Sequence, residues 1–133
     1  MKGYCDDIEK ATTGNSDFRR VLYTGKNLQL VVMTLQPGDE IGSEVHEDRD
    51  QFFRFEEGKG AVVIDGKYNQ VEDGSGVIVP AGARHNVINQ SAAPLKLYTL
   101  YAPPEHKDGV VQATKAEADA RHHDEEWDGG TTE

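Results

Sequence analysis

Two histidines, about forty residues apart, are the side chains best suited to chemistry in this sequence. His46 and His85 each lie near the end of a short run of β-branched or aromatic residues, where a strand can direct an imidazole inward. Histidine is the commonest metal ligand in proteins and also exchanges protons near neutral pH. The pair therefore indicates either a metal site or two buried histidines held by hydrogen bonds.

Strand alternation places further polar side chains beside His46. Residues two apart share one face of a strand, so Glu44 lies on the face of His46, and Gln51 shares a face with Phe53 and Phe55. A short loop separates the two strands and predicts a hairpin. This hairpin brings the three polar side chains together, and the two phenylalanines continue the same face. The alternative is that Glu44 and Gln51 are ordinary polar residues at the mouth of a barrel.

Short strand-like runs separated by Gly, Pro, Asn and Asp predict an all-β fold, an antiparallel sandwich or barrel. The Asp65-Gly66 pair is typical of a type I′ hairpin turn, whose two central residues both need positive φ. A capping pattern at Thr114 and Glu117 predicts one short C-terminal helix. The expected organisation has three parts: an N-terminal extension over residues 1–18, a barrel over residues 19–103, and an acidic segment with the short helix over residues 104–133.

Composition limits the class of protein and its partners. The chain has 133 residues, enough for one domain with its own core. Its net charge of -10 opposes binding to nucleic acid or to an anionic membrane, so we expect a small-molecule substrate or ligand. The single cysteine, Cys5, cannot form an internal disulfide, and no long apolar run predicts a signal segment or a membrane span. These features favour a cytoplasmic location.

The segment from Gly74 to Asn89 resembles the second conserved motif of the cupin superfamily, G-x5-P-x-G-x2-H-x3-N. Every fixed position of that motif is filled, by Gly74, Pro80, Gly82, His85 and Asn89. The stretch from Glu44 to Gly58 is similar to the first cupin motif, H-x-H-x3,4-E-x6-G, with all spacings kept. Glu44 stands where the first histidine belongs, and Gln51 stands where the glutamate belongs.

The resemblance spans roughly residues 31–101 and implies a double-stranded β-helix, which is a small jelly-roll barrel. The chain looks most like small single-domain bacterial cupins of the sugar-phosphate-isomerase-like group. That resemblance implies a metal site made by Glu44, His46, Gln51 and His85. The usual cupin set of three imidazoles and one carboxylate becomes two imidazoles, one carboxylate and one amide, which keeps the same formal charge. Such a set suits iron(II), manganese, nickel or zinc, with the amide oxygen as a weak fourth ligand.

Three kinds of function fit these ligands. A metal-dependent isomerase would act on a small sugar-like or carbonyl substrate, with Glu44 as its base if that side chain is not a firm ligand. A metal-dependent dioxygenase or lyase fits the same ligand set, and a non-catalytic small-molecule-binding cupin needs no base. Alternation alone predicts the side chains that line the pocket: Met33, Phe53, Phe55, Val87 and Tyr101.

Three remaining features are interpreted structurally. His122 and His123 belong to a solvated helix end, because adjacent helical residues point about 100° apart and do not easily share one ion. His106 is expected to be a loop residue. Phe52 should face outward, and this exposed aromatic, together with the cupin habit of pairing through sheet faces, predicts a homodimer.

Overall fold

The computed structural model describes all residues 1–133, and the chain consists mainly of β-strands. In chain order, the elements are α1 Ile8–Thr13, β1 Arg19–Thr24, β2 Gln29–Leu35, β3 Glu44–Val45, β4 Asp50–Glu57, β5 Gly60–Ile64, β6 Lys67–Val71, β7 Gly76–Val79, β8 Arg84–Ile88, β9 Leu95–Ala102, β10 Val111–Gln112 and α2 Lys115–Arg121.

The strands form two antiparallel sheets. The larger sheet has the order β10-β1-β2-β9-β4-β7, and the smaller has the order β3-β8-β5-β6. Several neighbours in space are distant in sequence, such as β4 beside β9 and β3 beside β8. This interleaved order is that of a jelly roll, so the predicted double-stranded β-helix with a short C-terminal helix is confirmed.

The hairpin between β5 and β6 turns at the predicted pair of residues. Asp65 has φ 46° and Gly66 has φ 81°, both in the left-handed region. Positive φ at both central positions is the requirement of a type I′ turn, which the Asp-Gly sequence meets at low cost. The prediction of this turn is therefore confirmed.

Alternate side chains of β4 face opposite sides of the sheet, one set toward the barrel interior and the other toward the outer surface. Gln51, Phe53 and Phe55 are buried in the barrel, and the residues between them are only partly buried on the outer face. On that outer face, Phe52 lies near Tyr98 of β9, with ring centroids 6.4 Å apart. The homodimer expected from this surface stays a prediction.

The N-terminal segment contains a helix that the sequence analysis did not predict. α1 begins after Asp7, whose carboxylate accepts the backbone N–H of Lys10 at 3.1 Å. The turn after α1 is tied to β2, because the hydroxyl of Thr34 donates to the carbonyl of Asn15 at 2.8 Å. Every residue of β2 is buried, since α1 packs over the outer face of that strand.

α2 begins after Thr114, whose hydroxyl accepts the N–H of Glu117 at 3.1 Å, so the predicted cap is confirmed. The acidic tail beyond α2 then runs beside residues 105–107. The N–H of Trp127 donates to the carbonyl of Glu105 at 3.0 Å, and the N–H of Lys107 donates to the carbonyl of Glu125 at 2.9 Å. The tail therefore fixes the backbone of the segment that carries Glu105. Neither helix has the length and apolar composition that crossing a membrane requires.

Candidate metal centre

Three of the four predicted ligands lie together at the β3 edge of the smaller sheet. Gln51 belongs to β4 of the larger sheet, so the predicted hairpin between these two strands is wrong. β3 and β8 pair so that Glu44 is directly opposite His85, and His46 follows β3. One ligand atom from each of these residues lies within 4.8 Å of the other two. Atoms that each lie about 2.1 Å from one ion are separated by about 3–4 Å. The three side chains are thus close to the spacing that a shared divalent ion requires.

His85 presents its Nε2 atom to the site. Its Nδ1 lies 3.1 Å from the carbonyl oxygen of Ala83. Because a carbonyl can only accept, Nδ1 carries the proton of the neutral ring and Nε2 keeps its lone pair. Burial lowers the pKa of His85, although the Ala83 hydrogen bond opposes this effect. His85 is therefore held in the neutral form that binds metals.

His46 is placed between two carboxylates. Its Nδ1 lies 3.4 Å from Oε2 of Glu105, and its Nε2 lies 2.9 Å from Oε2 of Glu44. Nε2 is nevertheless a buried atom without a hydrogen bond, because the short separation from Glu44 lacks hydrogen-bond geometry. Two ligand atoms that lie side by side and face the same ion have this arrangement.

Burial and neighbouring charges shift the pKa values of Glu44 and His46 in opposite directions. Burial would lower the pKa of His46, but the adjacent carboxylates of Glu44 and Glu105 raise it above its usual range. Burial would raise the pKa of Glu44, but the imidazole of His46 and the charge of Arg19 lower it. Glu44 is thus held as a carboxylate, the form that a metal ligand requires.

Gln51 offers an unpartnered oxygen. Thr99 donates its only hydroxyl hydrogen to the carbonyl of Phe52 at 2.8 Å, so it can only accept from Gln51, whose Nε2 lies 3.0 Å away. This contact fixes the orientation of the amide and leaves Oε1 buried without any partner. A buried carbonyl oxygen without a partner is costly, and a cation satisfies it. The donor set therefore fits a divalent metal ion.

The five predicted lining residues are all buried, and two of them have rings near those of the histidines. The ring centroid of Phe53 lies 6.4 Å from that of His85, and the ring centroid of Tyr101 lies 6.2 Å from that of His46. The other three are 0% exposed and belong to the same hydrophobic core cluster as Phe53 and Tyr101: Met33, Phe55 and Val87.

Glu105 and Arg49 are site residues that the sequence analysis did not identify. Oε2 of Glu105 lies 3.4 Å from Nδ1 of His46 and 2.9 Å from Nη1 of Arg49. Burial raises the pKa of Glu105, and the charges of His46 and Arg49 reduce that effect. A carboxylate at the outer nitrogen of a ligating histidine fixes the tautomer and the ring orientation. Glu105 is in a position to do so for His46.

His106 lies against the same site. Its backbone is irregular apart from a single bridge to Glu126, as expected for a loop residue. Its side chain, however, points inward, and Nε2 lies 3.4 Å from the hydroxyl oxygen of Tyr101. Burial, with the charge of Arg19, lowers the pKa of His106 well below its usual range, so the ring is neutral. The expectation of an ordinary loop residue missed this contact.

Replacing Glu105 by Gln should weaken metal binding about 10–100-fold, the usual effect of losing a carboxylate behind a ligating histidine. The substitution keeps the size of the side chain and removes the charge beside Nδ1 of His46. Competition against a chromophoric chelator measures the affinity. Glu47→Gln is the matched control, because Glu47 is an exposed carboxylate next to His46 in sequence. Equal affinity in Glu105→Gln and the wild type would show that Glu105 does not support the site.

The sequence matches the model of the Cupin domain over residues 31–101, which is more than half of the chain. With the interleaved jelly roll and the histidine site described above, this match shows that the chain belongs to the cupin family. Glu105 and His106 lie outside the matched residues. The polar groups around the histidines are therefore partly supplied by segments beyond the family's common barrel.

The chain is also similar to particular proteins over most of its length. The chain is similar to the uncharacterized protein YrkC of Bacillus subtilis (strain 168), with 46% identity over 124 residues that cover 88% of this chain and 66% of YrkC. It is 35% identical to the uncharacterized protein L612 of Acanthamoeba polyphaga mimivirus, covering 86% of this chain and 74% of L612. The crystal structure of BH2720 from Bacillus halodurans superposes with a TM-score of 0.87 at 43% identity, covering 90% of this chain and 95% of that one. The chain thus spans slightly less than two thirds of YrkC and nearly all of BH2720.

Proposed function

We propose that this cupin binds one divalent ion of manganese, iron, nickel or zinc through Glu44, His46 and His85, with Oε1 of Gln51 as a weaker fourth ligand. We further propose that it is a metal-dependent enzyme that acts on a small sugar-like or carbonyl substrate, in the manner of the sugar-phosphate-isomerase-like cupins. The ligand types suit all four metals, so the ion is left to experiment.

One observation carries the metal assignment. The chain has four buried side-chain nitrogen or oxygen atoms without a hydrogen-bond partner, and they belong to Arg19, His46, Gln51 and Glu105. Two of them, Nε2 of His46 and Oε1 of Gln51, are ligand atoms predicted from sequence. Buried polar atoms are nearly always satisfied in folded proteins, so the unsatisfied Nε2 of His46, which lies 2.9 Å from the carboxylate of Glu44, favours a ligand there.

Glu44 is the residue that can move a proton in an isomerase reaction. Its side chain is 33% exposed, whereas that of His46 is 13% exposed, so a substrate reaches the site past Glu44. Because its pKa is lowered, the side chain is held as a carboxylate. A carboxylate can accept a proton from a substrate carbon and return it to the neighbouring carbon. A bound divalent ion supplies polarisation of the substrate carbonyl or hydroxyl oxygen. Glu44 serves as the base only in a state in which it is not a firm ligand.

A metal-dependent dioxygenase or lyase is the second candidate, because two imidazoles and one carboxylate form the ligand set that non-haem iron(II) oxygenases use. In that case Glu44 stays a ligand throughout, and no residue of the chain is needed as a base. A non-catalytic binding cupin would use the same ligands without any reaction. These alternatives differ in turnover and not in metal content.

Metal analysis and turnover assays test the proposal together. Protein purified without added metal, and then reconstituted with manganese, iron(II), nickel or zinc, should contain about one ion per chain by elemental analysis. Sugars, diketones and phenols should then be screened for isomerisation and for oxygen consumption. Isomerisation supports the main proposal, oxygen consumption supports the second candidate, and metal binding without turnover supports a binding module. Failure to take up any of the four metals would contradict the metal site itself.

A further inference from the structure

Gln29, the first residue of β2, is a buried amide in the interior of the barrel, with 0% of its surface exposed. Its backbone pairs with Tyr101 of β9, and Tyr101 in turn pairs with Gln51 of β4. Residues directly opposite on antiparallel strands share one face, so these three side chains form a row across the larger sheet. Gln29 thus lies on the far side of Tyr101 from the candidate ligand Gln51.

Every hydrogen-bonding group of the Gln29 amide has a partner within the chain. Its Nε2 donates to the hydroxyl oxygen of Thr24 at 2.9 Å and to the carbonyl oxygen of His106 at 2.7 Å. Its Oε1 accepts the backbone N–H of Glu105 at 3.1 Å and that of His106 at 3.0 Å. A primary amide has two N–H donors and one oxygen with two lone pairs, so no capacity remains for another ligand. Gln29 therefore holds the backbone of residues 105–106 from inside the barrel.

The acidic tail supports the same segment from the surface. The carbonyl of Glu105 accepts the N–H of Trp127, and the N–H of Lys107 donates to the carbonyl of Glu125. Apart from a single bridge at His106, residues 103–107 form no regular strand. Buried hydrogen bonds are electrostatically stronger than those in contact with water, so the amide of Gln29 is the better shielded of the two supports.

The position of this segment matters because its side chains reach the metal centre. Oε2 of Glu105 lies 3.4 Å from Nδ1 of His46. The ring of His106 lies edge-on to that of Tyr101, with centroids 5.2 Å apart, and the ring of Tyr101 is edge-on to that of His46. A carboxylate at the outer nitrogen of a ligating histidine fixes the orientation of that ring. A shift of the backbone at residue 105 would move the carboxylate away from His46.

We propose that Gln29 is a positioning residue of the metal centre, which raises the affinity for a divalent ion by keeping the carboxylate of Glu105 at Nδ1 of His46. Gln29 has no free atom to offer an ion, so it acts through these two residues. This inference rests on the proposed metal site and adds to it a residue outside the segment that matches the Cupin domain.

Zinc affinity, measured by competition with a chromophoric chelator, tests this role. Gln29→Met keeps the length of the side chain and removes its four hydrogen bonds, so it should weaken zinc binding about tenfold, the lower end of the effect of losing a support behind a ligating histidine. Gln29→Asn is one methylene shorter and cannot reach residues 105–106. It should show the same loss and replaces Gln29→Met if that variant does not fold.

Asn89→Leu is the matched control for buried amides. Asn89 is also 0% exposed and forms four hydrogen bonds, with partners in Leu35, Ser91 and Ala93. None of these partners belongs to the metal centre. Both Asn89→Leu and Gln29→Met should lower the temperature of thermal unfolding, whereas only Gln29→Met should weaken zinc binding.

Two further measurements follow the route from Gln29 to the ion. In proton NMR of the zinc-loaded protein, the imidazole Nδ1–H signal of His46 should be lost to solvent exchange in Gln29→Met. The signal of His85 should remain, since its Nδ1 contacts the carbonyl of Ala83. Gln29→Met should also weaken zinc binding by less than about twofold when Glu105 has already been replaced by Gln, because residues that act through one contact are not additive.

The outcomes separate this inference from the metal site itself. A wild type that takes up no zinc contradicts the metal site and, with it, the role of Gln29. A wild type that binds zinc, together with Gln29 variants that bind it equally well, overturns only the role of Gln29. An unchanged His46 signal in Gln29→Met, equal weakening by Asn89→Leu, or full additivity with Glu105→Gln would each overturn that role too.

Discussion

Replacing His85 by Ala should abolish stoichiometric metal uptake. His85 is 5% exposed, and its contact with the Ala83 carbonyl directs Nε2 to the site. The variant retains a single imidazole with Glu44, so we expect a loss of affinity greater than the roughly 100-fold that follows from losing a supporting residue. Elemental analysis after reconstitution and dialysis measures the ion content. His85→Gln, which preserves more of the buried volume, should show the same loss.

The matched control for this experiment is the other group of metal-binding side chains. His122, His123 and Glu126 lie near one another at the end of α2, and all three are exposed. Replacing both of these histidines by Ala should leave the ion content at one per chain. Uptake that persists in the His85 variants, or that disappears in the double variant, would place the ion outside the site proposed here.

Replacing Phe55 by Ala should destabilise the fold by about 3–5 kcal/mol, the usual cost of removing a buried aromatic side chain. Phe55 is 0% exposed and stacks on Phe53, with ring centroids 6.3 Å apart. Phe53 in turn packs near the ring of His85. The loss is a large fraction of the total stability of an ordinary domain. Chemical denaturation, monitored by circular dichroism, measures the change in the free energy of unfolding.

Phe52→Ala is the control for this prediction because Phe52 precedes Phe53 on the outer face of β4 and is only partly buried. Its replacement should cost about 1 kcal/mol, an ordinary value for a point substitution. Metal content should remain one ion per chain in the folded fraction of both variants, since neither residue is a ligand. Equal destabilisation by the two substitutions would contradict the assignment of Phe55 to the core.

The fold was predictable where local pattern and motif agreed. Period-two alternation correctly predicted which face of β4 is buried, and the Asp65-Gly66 pair correctly predicted the turn between β5 and β6. Alternation shows which residues share a face, but it does not show which strands are adjacent, so only the cupin resemblance implied the jelly-roll topology. α1 has six residues, too few to repeat an apolar pattern, and its position over β2 depends on contacts that are distant in sequence.

The site was predictable where it lies within the barrel motifs. Glu44, His46 and His85 have motif spacings and meet in the structure. Glu105 follows two prolines in a segment without periodic pattern, and only contacts that are distant in sequence, from Gln29 and from the C-terminal tail, fix its backbone.

The burial of Arg19 was not predicted for another reason. Arg19 and Arg20 are adjacent and identical in type, and a charged residue is normally expected to be exposed. Only its pairing with Met33, and hence its place on the buried face, distinguishes it from its neighbour.

Anomalous diffraction from crystals of the reconstituted protein, collected on both sides of the absorption edge of the added metal, tests the metal site most directly. The proposed site predicts one strong peak per chain, bound by Glu44 and by Nε2 of both His46 and His85, with Oε1 of Gln51 facing it. A peak at His122 and His123 instead, or no peak in crystals of protein shown to contain the metal, would contradict it.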